Sequence, residues 1–234
     1  MRNIKDQIQS AVNIYKSGNL NKAEQVTSKL IANNPKIVFL YNLLGLILTG
    51  QNKIDKAIKC YEKGLKIDSN FAMLYNNLGH LFFSFESYKD IQKAEKYYKK
   101  SISLNSKLPE PHNNLGNLYK SLNKYDVAIN CYKKAIENSP KLSFTHYNLG
   151  NTYAKRGERQ QALAEFAASV EKDQQYWQAW LNLGSVKGTL GDVRGAGEIF
   201  SRLSREAPDQ VEPWLNLAHV RIMQRDLRGA FAAY

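Results

Sequence analysis

Tyr75-Asn76-Asn77-Leu78-Gly79 decides the fold, because close variants of this stretch recur along the chain. The variants are Tyr-Asn-Leu-Leu-Gly at 41–45, His-Asn-Asn-Leu-Gly at 112–116, His-Tyr-Asn-Leu-Gly at 146–150, Trp-Leu-Asn-Leu-Gly at 180–184 and Trp-Leu-Asn-Leu-Ala at 214–218. Successive copies are 34, 37, 34, 34 and 34 residues apart. A regular period of this length is the sequence signature of repeat architectures.

A second pair of columns keeps the same register. An alanine follows the last residue of each copy by 12 positions, or by 15 in the 37-residue unit, and an aromatic residue stands four positions after that alanine. The pairs are Ala57 and Tyr61, Ala94 and Tyr98, Ala128 and Tyr132, Ala162 and Phe166, Ala196 and Phe200, and Ala230 and Tyr234.

Each unit is predicted to form two helices, because apolar residues recur in each half-unit at the spacing of one helix face. Small residues such as Gly79 and Ala94 are expected where the backbone of a facing helix comes close. The three extra residues of the long unit, near Phe85 to Ile91, are expected in the loop between its helices. A single helix pair cannot bury its apolar face alone, so the pairs must stack on one another.

These columns resemble the tetratricopeptide repeat (TPR) family. The resemblance implies an all-α fold, a right-handed α-solenoid or superhelix of antiparallel helix pairs. We expect residues 1–234 to form a single solenoid with the last repeat incomplete. The predicted repeats are 4–37, 38–71, 72–108, 109–142, 143–176, 177–210 and 211–234.

Composition indicates a folding protein of a reducing compartment. Of 234 residues, 43% are hydrophobic, which excludes a disordered chain. Cys60 and Cys131 form no metal-binding or C-x-x-C spacing, and the first residues are polar rather than signal-like. The most apolar stretch, Ile37 to Leu48, is too short to span a bilayer. We therefore expect a cytoplasmic protein without a membrane span.

No catalytic residue, metal site or cofactor is predicted. His112 and His146 occupy the column that holds Tyr41 or Trp180 in other units, which favours a packing role. His80 and His219 lie far apart along the repeat array. No phosphate-binding glycine loop, zinc-protease motif or nucleophile elbow is present in the sequence.

The formal net charge of +12 raises the question of nucleic-acid binding. The lysines instead run along second helices, for example from Lys53 to Lys66, where a solvated face is the ordinary interpretation. Aromatic residues that could stack on bases fall in the packing columns. The spacing therefore argues against a nucleic-acid partner.

A column of asparagines is the candidate binding site. The residue before each Leu-Gly or Leu-Ala is an asparagine in the last five units, and amides repeated once per layer can bond the backbone of an extended peptide. The other interpretation is that these amides only bridge neighbouring helices. The predicted peptide-binding residues are Asn77, Asn114, Asn148, Asn182 and Asn216, with Asn113, Asn117, Asn151 and His80 nearby.

The predicted function is a non-catalytic scaffold that binds a peptide or a partner protein in its concave groove. The alternative is the substrate-recruiting arm of a larger enzyme, since the repeats look like those joined to O-linked N-acetylglucosamine transferases and bacterial sulfotransferases. Self-association end to end is a third possibility. The carboxylate-clamp subfamily needs Lys and Arg beside its asparagines, where this chain has Asn76, Asn113 and Tyr147.

Overall fold

A computed structural model describes residues 3–233, so Tyr234 of the aromatic column lies outside the described residues. All regular structure in this range is helical, and consecutive helices pack on one another within each of two compact units. The predicted fold class, an α-solenoid of antiparallel helix pairs, is confirmed. None of the described helices is long and apolar enough to cross a membrane.

The first unit runs to Leu118 and the second begins at Tyr119, within one helix. The first unit contains α1 (Ile4–Lys16), α2 (Leu20–Asn33), α3 (Val38–Gly50), α4 (Ile54–Ile67), α5 (Ala72–Ser84), α6 (Ile91–Leu104) and most of α7 (Pro109–Ser121). A 3-10 turn at Glu86–Tyr88 joins α5 to α6, which confirms that the extra residues lie between the helices of that pair.

The second unit contains the end of α7 and the helices that follow it. These are α8 (Tyr125–Asn138), α9 (Ser143–Lys155), α10 (Arg159–Lys172), α11 (Trp177–Thr189), α12 (Val193–Glu206), α13 (Val211–Met223) and α14 (Leu227–Ala233).

The glycine and aromatic columns meet inside four of the described helix pairs. A Cβ added at Gly79 would lie 2.8 Å from two ring carbons of Tyr98, and one added at Gly150 would lie equally close to Phe166. At Gly79, the prediction that the small residue makes room for a facing backbone is therefore wrong. The ring of the second helix fills that space, and Tyr98 is 0% exposed.

The aromatic-or-histidine column that opens each repeated stretch ties down the preceding loop. In five units the polar atom of this side chain forms a hydrogen bond with the carbonyl oxygen six residues earlier, over 2.9–3.4 Å. The pairs are Tyr41 with Pro35, His112 with Ser106, His146 with Pro140, Trp180 with Gln174, and Trp214 with Pro208. Tyr, His and Trp share a ring with a terminal donor, which explains why they alternate here while phenylalanine is missing.

The turn inside most pairs uses one residue in the left-handed region, where glycine and asparagine are least strained. Gly18, Gly157 and Gly191 have φ between 79° and 92°, and Asn52 and Asn123 have φ of 59° and 57°. The last turn places Arg225 there, at φ 62°.

Candidate functional site

Five asparagine amides of the first unit form one hydrogen-bonded row across α3, α5 and α7. The Nδ2 group of each donates to the Oδ1 atom of the next. The bonds run from Asn113 to Asn114 (3.4 Å), from Asn114 to Asn76 (3.0 Å), from Asn76 to Asn77 (3.2 Å) and from Asn77 to Asn42 (2.8 Å). We call these five residues the amide row.

The inner members of the amide row keep part of their bonding capacity. Asn114, Asn76 and Asn77 each donate one N–H and accept one bond within the row. A carboxamide has two N–H groups and two lone pairs, so each retains one donor and one acceptor site. All three are half-buried, whereas Asn42 is only 2% exposed. The row therefore bridges neighbouring first helices and still offers polar groups at its surface.

Three of the predicted residues of the first unit thus lie together, and two others join them. Asn77, Asn113 and Asn114 belong to the amide row, but sequence reasoning missed Asn42 and Asn76 as members. Asn42 precedes Leu43, the residue that interrupts the asparagine column in the sequence. The only indication in the sequence was that Asn42 stands one position before the asparagine column.

The second unit continues the pattern with a changed partner. Asn182 on α11 donates to the Oδ1 atom of Asn151 on α9 over 2.8 Å. The position that corresponds to Asn76 holds Tyr147, whose ring contacts that of Tyr176 at a centroid distance of 4.9 Å. Asn182 therefore bonds one turn further along α9.

Asn216 is a predicted site residue whose amide is not engaged by the rest of the described chain. It is half-buried, makes no hydrogen bond within residues 3–233, and opens into a cleft of about 220 Å³. Gly184, Phe200 and Val220 give that cleft apolar walls. Here an amide faces an apolar cleft, an arrangement suited to a peptide group flanked by an apolar side chain.

The remaining predicted residues occupy separate places. Asn117 and Asn148 are half-buried on α7 and α9. His80 is exposed on α5, and its Nδ1 atom lies 3.1 Å from the hydroxyl of Ser84. Although the side chain as a whole is exposed, packing around the imidazole partly desolvates it and lowers the pKa of His80.

The histidines show local structural contacts. His112 is buried and bonds the Ser106 carbonyl, and Nδ1 of His146 lies 2.7 Å from Glu165. In residues 3–233 no group of three or more His, Cys, Asp or Glu side chains is placed to hold a metal ion.

Family models of the tetratricopeptide repeat match most of the sequence. One model of the TPR repeat matches residues 45–84 and 116–157, and two further models match residues 72–108 and 147–211. Together the matched segments cover more than half of the chain. No curated protein matches the sequence significantly.

Several solved structures share the fold. PilF of Pseudomonas aeruginosa is 17% identical with a TM-score of 0.76, over 90% of this chain and 94% of that one. PilW, a type IV pilus biogenesis factor, is 16% identical with a TM-score of 0.77, over 90% of this chain and 96% of that one. YrrB, a TPR protein with an unusual peptide-binding site, is 22% identical with a TM-score of 0.59, over 80% and 95%.

Proposed function

Because this chain belongs to the tetratricopeptide repeat family, we propose that it is a non-catalytic scaffold that binds an extended peptide along its first helices. The amide row carries the proposal. Three half-buried amides in succession each retain one donor and one acceptor, which is the complement of a peptide group. The peptide-binding site of YrrB, which has a similar fold, supports the same kind of partner.

Preorganisation is the physical advantage of such a row. Each amide is already held by its neighbours, so little side-chain entropy is lost when a ligand binds. Backbone bonds of this kind give affinity that depends weakly on the sequence of the ligand. In the second unit, the apolar cleft beside Asn216 is a separate place where a peptide group flanked by an apolar side chain can bind.

Asn216→Ala is the sharpest test, because Asn216 makes no hydrogen bond within the described residues and its loss should leave the fold intact. The probes are several unrelated neutral peptides, capped at both ends and carrying a fluorophore. Loss of one hydrogen bond of about 1 kcal/mol predicts an affinity roughly fivefold weaker for every peptide in a polarisation titration.

Asn130→Ala is the matched control, since Asn130 is an exposed asparagine on the second helix α8. The affinity of the Asn130→Ala variant for every peptide should equal that of the parent chain. Equal binding by the Asn216→Ala variant and the parent would remove Asn216 from the peptide site. Asn114→Ala should weaken binding as well, but it also breaks the amide row and needs a parallel stability measurement.

The alternative, a recruiting arm of a glycosyltransferase or sulfotransferase, shares the same peptide site. It differs in predicting a nucleotide-binding domain in the same reading frame. The sequence of the parent gene decides between the two, because a scaffold that acts alone needs no such domain.

Self-association is favoured by one observation. Leu227 and Phe231 on α14 are 71% and 86% exposed, and Val211 on α13 is 63% exposed. Apolar side chains clustered at the surface mark interaction sites. If this surface joins two copies, Phe231→Ser should lower the mass measured by light scattering at high concentration, and a parent chain that is monomeric throughout would exclude the association.

A cytoplasmic location remains part of the proposal. Cys60 is a buried free thiol, which supports a reducing compartment. Fractionation of cells that produce the protein would test the location directly.

A further inference from the structure

A cationic cleft lies in the second unit, between the last residues of α7 and the last turn of α9. Its volume is about 550 Å³, and Lys120 and Lys155 face it together with Asn123, Tyr125 and Asn151. Lys120 is half-buried, and its burial together with the nearby charge of Lys155 lowers the pKa of its ammonium group. Lys120 is the one lysine in its repeat column, and Lys155 shares its column with Lys16 of the first repeat.

The acidic side chains near this cleft are already occupied. Arg156 pairs with Asp126 through Nη1 and with Glu158 through Nε, the latter over 2.7 Å. Lys120 and Lys155 make no ion pair within residues 3–233. The cleft therefore holds two positive charges with no carboxylate paired to them among the described residues.

The amides of the cleft present donors. Oδ1 of Asn151 accepts from Asn182, and Oδ1 of Asn123 accepts from the Tyr125 hydroxyl over 2.8 Å. Neither asparagine donates a hydrogen bond through Nδ2 within the described part of the chain. Two ammonium groups and two NH₂ groups thus remain for a ligand that carries negative charge and accepts hydrogen bonds.

We infer that this cleft binds a carboxylate of the peptide ligand, through Lys120 and Lys155 with Asn151 as a neutral donor. The carboxylate comes from an acidic side chain or from the C-terminus of the peptide. The inference rests on the proposed function, because Asn151 belongs to the proposed peptide contacts and places the cleft beside them. The cationic residues lie at the C-terminal ends of their helices, away from the asparagine column itself.

Free glutarate tests the site without any peptide. In NMR spectra of the whole chain, glutarate should produce saturable shifts of the Asn151 and Asn123 side-chain amide signals. Lys120→Gln should weaken this binding roughly tenfold, as expected for loss of a charge-assisted bond. Lys124→Gln removes the same charge from an exposed position outside the cleft and should leave the binding unchanged.

Peptides then identify the source of the carboxylate. The probes are a capped neutral peptide with one central glutamate, the same peptide with glutamine, and the glutamine peptide with a free C-terminus. The inference is supported if the first or the third peptide binds more tightly than the capped glutamine peptide and Lys120→Gln abolishes this difference. Tighter binding of the first peptide identifies the glutamate side chain as the source, and tighter binding of the third identifies the C-terminus.

Three outcomes would overturn the inference. They are equal weakening of glutarate binding by Lys120→Gln and Lys124→Gln, equal affinity of the three peptides, and inorganic phosphate displacing glutarate at lower concentration than glutarate itself binds. If glutarate binds through Lys120 but no peptide binds the chain, the carboxylate site stands and the proposed function fails. If neutral peptides bind through Asn216 but glutarate does not bind, the proposed function stands and the carboxylate site fails.

Discussion

Replacing Tyr98 by phenylalanine should stabilise this protein. The Tyr98 hydroxyl is buried and has no hydrogen-bond partner among the described residues, and the side chain is 0% exposed. An unpaired buried polar group costs about 1–3 kcal/mol relative to water. The small cavity left by the missing oxygen offsets part of this gain, so the unfolding free energy should rise by about 1 kcal/mol.

The structure supplies both a precedent and a control. Phe166 occupies the same column and lies as close to Gly150 as Tyr98 lies to Gly79, so the phenylalanine ring fits without rearrangement. Tyr61 also occupies the column, but Thr49 lies close enough to its hydroxyl to oppose the rise in pKa that burial causes, so this hydroxyl has a polar neighbour. Tyr61→Phe should therefore destabilise the chain by about 1 kcal/mol.

Urea unfolding of the whole chain, followed by circular dichroism, measures both variants. For slopes of about 1–3 kcal/mol/M, a change of about 1 kcal/mol moves the midpoint by roughly 0.3–1 M, upward for Tyr98→Phe and downward for Tyr61→Phe. A downward shift of similar size in both variants would show that the Tyr98 hydroxyl is bonded, and the reasoning would be refuted. Native-state hydrogen exchange of α5 and α6 provides a local readout, because repeat arrays need not unfold in one step.

Arg225 adopts φ 62°, so Arg225→Gly should raise the unfolding free energy by about 1 kcal/mol, and an unchanged thermal midpoint would contradict the strain assigned to that turn. Burial raises the pKa of the Cys60 thiol to about 12, so at pH 8 iodoacetamide should alkylate the half-buried Cys131 first, and mass spectrometry showing equal modification would argue against the burial of Cys60. Asn77→Ala removes the donor to Asn42, which is 2% exposed, and should cost about 1–3 kcal/mol in urea unfolding, whereas Asn77→Asp at neutral pH should not restore that stability because a carboxylate has no N–H to donate.

The helical framework follows from the sequence because its determinants recur. The Leu-Gly, alanine and aromatic columns specify where each helix faces its partner, and the helices begin in the same phase from Ile4 to Val211. The detail of the packing does not follow. The columns alone cannot tell whether the space beside Gly79 receives a backbone or a ring, since both need a small residue there.

The candidate site was visible only in part. The asparagines before each Leu-Gly form an obvious column, but the partner of Asn77 is Asn42, 35 residues earlier and outside that column. The bond depends on the offset between α3 and α5, which the repeat period does not give. The cleft of Lys120 and Lys155 could not be predicted for a related reason, because two lysines from different repeat columns meet there only through helix packing.

The ring-to-carbonyl bond makes the units exchangeable. Each bond joins two residues six positions apart and requires only a ring that ends in a hydrogen-bond donor. It does not depend on the amino-acid composition of the units on either side. Units of different composition can therefore be joined in one array without altering the junction. A unit grafted from another solenoid should keep its phase here provided that it brings its own tyrosine, histidine or tryptophan to that position.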